Sequence, residues 1–109
     1  WTSRPQKNKP QWVEARFHGT RSLRSVGVYW MQDRFDVKFP AEWSLEVEKN
    51  GTWKPFELYV TDRYDTRANQ YNVVHPAAPI RCDAIRVRMT PKEDACVGIL
   101  EMMAEFEKE

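Results

Sequence analysis

The sequence predicts an all-β chain folded as an antiparallel β-sandwich or barrel. Three observations carry this. Apolar and polar residues alternate with a period of two through most of the chain, as in strands with one buried face. Proline, glycine and asparagine gather between the alternating runs, where strands have to stop. Aromatic residues make up 13% of the 109 positions, a content that suits pleated surfaces.

Seven runs are expected as strands. WVEARF sets Val13, Ala15 and Phe17 on one face and Glu14 and Arg16 on the other. SVGVYW aligns Val26, Val28 and Trp30. WSLEVEK points Trp43, Leu45 and Val47 inward and Ser44, Glu46 and Glu48 outward. WKPFELYV is less regular, with Phe56, Leu58 and Val60 as its expected buried row. QYNVVHP is short. DAIRVRM alternates Ile85, Val87 and Met89 with Arg86 and Arg88. VGILEMMAEFE is the longest; its Met, Ala, Glu and Leu also suit a helix, but its all-β surroundings favour a strand. Trp12, Trp30 and Trp43 occupy strand positions and are expected in the core, with Trp53 capping the sandwich edge.

The breaks carry turn chemistry. HGTRS is expected to turn the chain after the first strand. KNGTW is a hairpin signal, because Asn50 and Gly51 tolerate positive φ. The prolines of HPAAP and MTPKEDA cannot continue a central strand. The closing EFEKE is expected to fray.

The length fits one domain. The net charge of +1, with acids and bases interspersed, gives no bulk-charge reason for a nucleic-acid or membrane partner. No apolar run approaches the ~18 residues of a membrane-spanning helix. Cys82 and Cys96 lie outside any CxxC pattern, and with only His18 and His75 to help them a zinc site is not expected. A disulfide and two free thiols both remain open. The chain holds no phosphate loop, G-x-S-x-G or HExxH. A small sandwich also has little room for a deep cleft with two carboxylates ~5–10 Å apart. A non-enzymatic domain is expected.

If successive strands run up and down, segments 1–10, 31–41, 59–70 and 90–96 meet at one end, and 18–24, 49–52 and 76–82 at the other. The first set is longer, and long loops on a rigid scaffold are where binding concentrates. It is also richer in Arg, Asp, Lys and aromatics. Were the ligand a sugar, flat aromatics would cover the apolar face of its ring and planar polar side chains would grip its hydroxyls. The expected ligand-binding residues are Gln32, Asp33, Arg34, Phe35, Tyr64, Arg67, Asn69 and Lys92. Asp36, Asp62, Arg63, Asp65 and Glu93, with Arg4 and Gln6 in the opening segment, stand beside them. Against this, Phe35 and Tyr64 could equally fold back on the core, and Arg34 and Arg63 could be spent in surface ion pairs with neighbouring aspartates.

The order WTS, QWVEARF, LRSVGVYW, FPAEWSLEVEKNGTWKPF, DAIRVRM, VGILEMMAEF resembles the discoidin-like, coagulation-factor-5/8 type C domain over nearly the whole chain. The resemblance implies a galactose-binding-like, jelly-roll β-sandwich. VGVYWMQD, PAEWSLEVEKNGTWKP and GILE look most like the accessory domains of bacterial glycoside hydrolases. The same resemblance implies a non-catalytic carbohydrate-binding domain, secreted, periplasmic or at the cell surface, with a glycan and a neighbouring domain of the same polypeptide as partners. A structural module that packs on a catalytic domain without binding sugar is the alternative. The family's first strand and its acidic loop have no counterpart before Trp1, so the chain is expected to be a domain excised from a longer polypeptide. No cofactor is expected in the chain itself. In that longer protein the resemblance places a structural calcium near Thr2, Ser3 and Glu101. Three positions fall short of the six to eight oxygens calcium takes, and the remainder is expected upstream. Glu101 could instead pair with Arg86 or Arg88.

Overall fold

The computed structural model describes residues 1–3 and 8–108 and contains strands and no helix among them. The strands are β1 (Gln11–Trp30), β2 (Glu42–Lys49), β3 (Thr52–Pro55), β4 (Tyr71–Val74), β5 (Ile80–Thr90) and β6 (Ile99–Phe106). They pair antiparallel in the order β3-β2-β5-β1-β4, with β6 also on β1. The architecture is the predicted antiparallel β-sandwich, and the closing segment is a strand as expected.

β1 accounts for the difference between seven expected strands and six. Its first half pairs with β5 from Gln11↔Met89 to Leu23↔Ile80, and its second half pairs with β6 from Leu23 to Trp30 and, on its other side, with β4 from Val26 to Tyr29. HGTRS is therefore a bulged corner inside one strand rather than a turn between two. Arg16 faces Ala84 and Arg21 faces Cys82, so five residue steps on β1 oppose two on β5. Gly19 takes a φ of 83° within this surplus, a conformation that costs glycine little. The extra residues bend the strand from one layer into the other without ending it.

The bend folds β1 back on itself. Gln11 starts beside Met89, which also pairs with Trp43, and Trp30 at the far end of β1 meets Trp43 with ring centroids 5.3 Å apart. One apolar core fills the space between the layers. Leu23, Val26, Val28, Val74 and Ile99 face Leu45, Val47, Ile85, Val87 and Met89 across it. Thus β2, β4 and β6 run from the long-loop end and β3 and β5 run towards it, but the expected sorting of the loops holds only in part: 59–70 begins at the opposite end, where Leu58 bridges Pro76 and Tyr59 N–H donates to the His75 carbonyl, and reaches the long-loop end only in its later half. At the short-turn end Asn50 (φ 53°) and Gly51 (φ 77°) close the β2–β3 hairpin, with Lys49 opposite Thr52.

Three core expectations change. Trp30 and Trp43 are buried, but Trp12 is 54% exposed. It shares its strand parity with Glu14 and Arg16, so burial of Val13, Ala15 and Phe17 turns it outward. The expected strand over 53–60 ends at Pro55. Phe56 still donates its N–H to the Leu45 carbonyl and is buried, Leu58 is half-buried, and Val60 is 88% exposed. EFEKE frays less than expected, because β6 runs through Phe106, whose ring packs edge-on against Phe17 at 4.9 Å beneath the Arg21 guanidinium. Trp53 sits half-buried on edge strand β3, as expected for a residue at the sandwich edge.

Cys82 and Cys96 are buried free thiols, not a disulfide. Burial, with some help from Asp83, pushes the Cys82 thiol up to about 11. The native protein should therefore resist iodoacetamide at pH 8 and take up two equivalents once unfolded, counted by intact mass. Full modification without unfolding would contradict this. Because the folded thiol holds its proton more tightly than the unfolded one, its contribution is intact below about pH 9 and is lost as pH rises towards about 11.

Candidate functional site

The long-loop end is built on two anchored segments. The first is 31–41. The Met31 N–H donates to the Gly98 carbonyl, the Cys96 N–H to the Asp36 carbonyl, and the Lys38 N–H to the Cys96 carbonyl. Gly98 is required by this closeness: a Cβ there would stand 2.9 Å from Val37 Cγ1 and 3.0 Å from Met31 Cε. Asp33 shapes the tip. Its Oδ1 accepts the N–H groups of Phe35 at 2.9 Å and Val37 at 3.0 Å, and its own N–H donates to the Val37 carbonyl. This is the local side-chain-to-backbone bonding by which aspartate holds a turn.

Gln32, Arg34 and Phe35 project from that tip. Phe35 is 80% exposed, so it does not fold back on the core. Arg34 is exposed and, among the described residues, makes no ion pair with Asp33 or Asp36. Lys92 lies exposed in the adjoining turn, where its carbonyl accepts from Ala95 N–H and Asp94 donates its N–H to Asn8 Oδ1. Four predicted residues, Gln32, Arg34, Phe35 and Lys92, thus present their side chains on joined loops. Asp33 is the support beneath three of them. Arg4 and Gln6 lie outside the described residues.

The second segment, 59–70, is held on the core. Tyr64 stacks edge-on against Trp43 at 4.7 Å and accepts the Leu45 N–H on its hydroxyl at 3.1 Å. Burial raises the Tyr64 phenol above its ordinary range. Trp43 Nε1–H donates to the Asp65 carbonyl at 2.9 Å. Asn69 supplies a left-handed turn residue, φ 59°. Arg67 reaches solvent and pairs with Asp65 at 3.6 Å, an exposed ion pair of small energetic weight. Asp62 does not pair with Arg63 but caps His75, taking both its N–H and Nδ1. Between this segment and β4 lies a polar cleft of about 120 Å³ lined by Arg63, Asp65, Arg67, Gln70, Tyr71 and Asn72. Of these only Arg67 was among the expected ligand residues.

Asn72 was missed altogether. It is buried, its Oδ1 accepts the Arg67 N–H at 2.7 Å, and its Nδ2 donates to the carbonyls of Arg67 and Val28. An asparagine at an inward strand position, flanked by Tyr71 and Val73, was the available signal.

Within this chain Thr2, Ser3 and Glu101 are each engaged by protein groups. Thr2 bridges to Gly98 through its backbone, and Ser3 Oγ accepts the Val97 N–H at 2.9 Å. Glu101 accepts the Tyr71 hydroxyl rather than pairing with Arg86 or Arg88, and this bond holds the Tyr71 phenol above its ordinary range. Among the described residues no three His, Cys, Asp or Glu side chains converge.

The F5/8 type C domain family matches residues 1–103. The chain belongs to that family. A solved structure of the Streptococcus pneumoniae beta-galactosidase BgaA matches this F5/8 type C domain with a TM-score of 0.82 at 20% identity, covering 99% of this chain and 75% of that one. At this identity the likeness is one of fold. Within the F5/8 type C frame, the 32–35 tip and the 63–72 cleft are separate features: the first is a rigid base with outward side chains, the second a shallow polar hollow.

Proposed function

We propose that this F5/8 type C domain is a non-catalytic carbohydrate-binding accessory domain of a secreted bacterial glycoside hydrolase, and that it holds the enzyme against a polysaccharide. Family membership and the likeness to a bacterial beta-galactosidase support the setting. The observation that carries the binding role is the 32–35 tip. Arg34 and Phe35 stand exposed on a turn that Asp33 already holds, so a ligand meets a stacking ring and a planar donor at little ordering cost. Lys92 and Gln32 flank it.

Replacing Arg34 and Phe35 together with alanine is expected to abolish glycan binding in isothermal titration, with the thermal midpoint moving by less than about 2 °C because neither side chain is packed. Failure of the wild-type domain to bind any plant or host glycan at millimolar concentration would sink the direct-binding reading.

A second reading, packing against a neighbouring domain without binding sugar, is favoured by the exposed aliphatics Val73 on β4 and Leu100 on β6. Protection of these strands from hydrogen exchange in the full-length protein, relative to the isolated domain, would support it.

A further inference from the structure

The outward face of β3-β2-β5-β1 carries an arrangement that the loop site does not use. Three rows cross it. Trp12, Arg88 and Ser44 form the first; Glu14, Arg86, Glu46 and Pro55 the second; Arg16, Ala84, Glu48 and Trp53 the third. Glu46 braces the middle row. Its Oε1 accepts Arg86 Nε at 3.0 Å and Arg88 Nη1 at 3.4 Å, and pairs with Arg86 Nη2 at 3.0 Å. The braced Arg86 guanidinium lies 5.3 Å from the Trp12 ring centroid and 4.2 Å from that of Trp53. A charged side chain fixed on one side thus leans against two indoles, which limits their rotamers.

Trp12 nonetheless remains 54% exposed. Next to its row, at the long-loop end of the same face, opens a cleft of about 310 Å³ whose walls include Gln11, Glu42, Ser44, Arg88 and Thr90. An ordered indole with an exposed surface, beside a hollow carrying a carboxylate, a guanidinium and hydroxyls, is the chemistry a pyranose ring asks for. The ring's C–H face stacks on the aromatic, and its hydroxyls meet paired donors and acceptors. Arg88 already faces Glu46, and Glu42 adds a carboxylate at the wall of the hollow, which favours a neutral sugar over a uronate or a sulfated one.

We propose that this sheet face is a second carbohydrate-binding surface, distinct from the 32–35 loop, on which Trp12 stacks against a neutral sugar while Glu42, Ser44 and Arg88 hold its hydroxyls. The proposal shares with the loop reading only the class of ligand. A polysaccharide strand engaged at both surfaces would dissociate more slowly than from either one.

The test is a titration of the 15N-labelled protein with cellohexaose, xylohexaose and galactotetraose to about 10 mM, a range that covers weak single-site affinities. The Trp12 indole N–H, assigned with Trp12→Phe, is read together with the amides of Ser44 and Arg88. For at least one probe these resonances should shift saturably, and should do so equally in the Arg34→Ala, Phe35→Ala double variant. Trp12→Ala should weaken the shift at Ser44 and Arg88 by about tenfold or more, while Trp12→Phe retains part of it, which separates stacking from misfolding. Shifts confined to residues 32–35, or Ser44 and Arg88 shifts unaltered in Trp12→Ala, overturn the second surface and leave the loop reading standing. A protein in which only the sheet face responds overturns the loop reading instead, and silence at both sites overturns both.

Discussion

Trp43→Ala should lower stability by about 4 kcal/mol and the thermal midpoint by more than about 10 °C, measured by denaturant and thermal unfolding. The side chain is 5% exposed and joins three things. It meets Trp30 at 5.3 Å and Tyr64 at 4.7 Å, and its indole N–H donates to the Asp65 carbonyl at 2.9 Å. Alanine leaves a large cavity between the layers, removes both ring contacts and takes away one anchor of the 59–70 segment. Two milder variants separate these effects. Trp43→Phe keeps an aromatic but strands the Asp65 carbonyl, a loss of about 1–2 kcal/mol beyond the volume change. Trp30→Phe should cost less, because Trp30 Nε1 is buried with no partner among the described residues and its removal relieves that deficit. Equal costs for the two phenylalanine variants would contradict the assignment of the difference to the hydrogen bond.

Asn72→Ala should cost about 1–3 kcal/mol, since it leaves the Arg67 N–H without its acceptor and removes the donations to the Arg67 and Val28 carbonyls. The loss should be local as well as global. Amide exchange at Arg67 should accelerate more than at residues 43–47, because only the former loses its acceptor. Uniform acceleration throughout would mean that Asn72 contributes general packing rather than fixing the floor of the 63–72 cleft. The Tyr64 and Trp43 contacts are untouched by the change, so the 59–70 segment should remain attached at its other anchor.

The strands were legible because burial of one face writes itself as a period of two. Leu45 and Val47 against Glu46 and Glu48 is the clear case. The same rule, applied strictly, places Trp12 outside; size and hydrophobicity pull it into the expected core against its own parity. Pro55 is likewise a visible stop for β3, masked because Phe56, Leu58 and Val60 continue the alternation beyond it. HGTRS is not decidable from sequence, since a bulged corner and a reversing turn both use a glycine at positive φ. At the loop end, residue types locate the cluster but not the division of labour within it. Asp33, Tyr64 and Asn69 carry the same chemical groups as ligand-binding residues, and their use as supports depends on partners such as the Leu45 N–H, 19 residues from Tyr64.

The corner in β1 has a bearing on how the domain comes apart. A strand that pairs with β5 in its first half and with β4 and β6 in its second ties both layers to one backbone. Neither layer can peel away without pulling the ladder of the other, so the sandwich should unfold as a single cooperative unit rather than sheet by sheet. The same strand must find partners from the middle and the end of the chain, which makes for slow folding and, once folded, for a hold that a polymer tugging at the loops would have to break all at once.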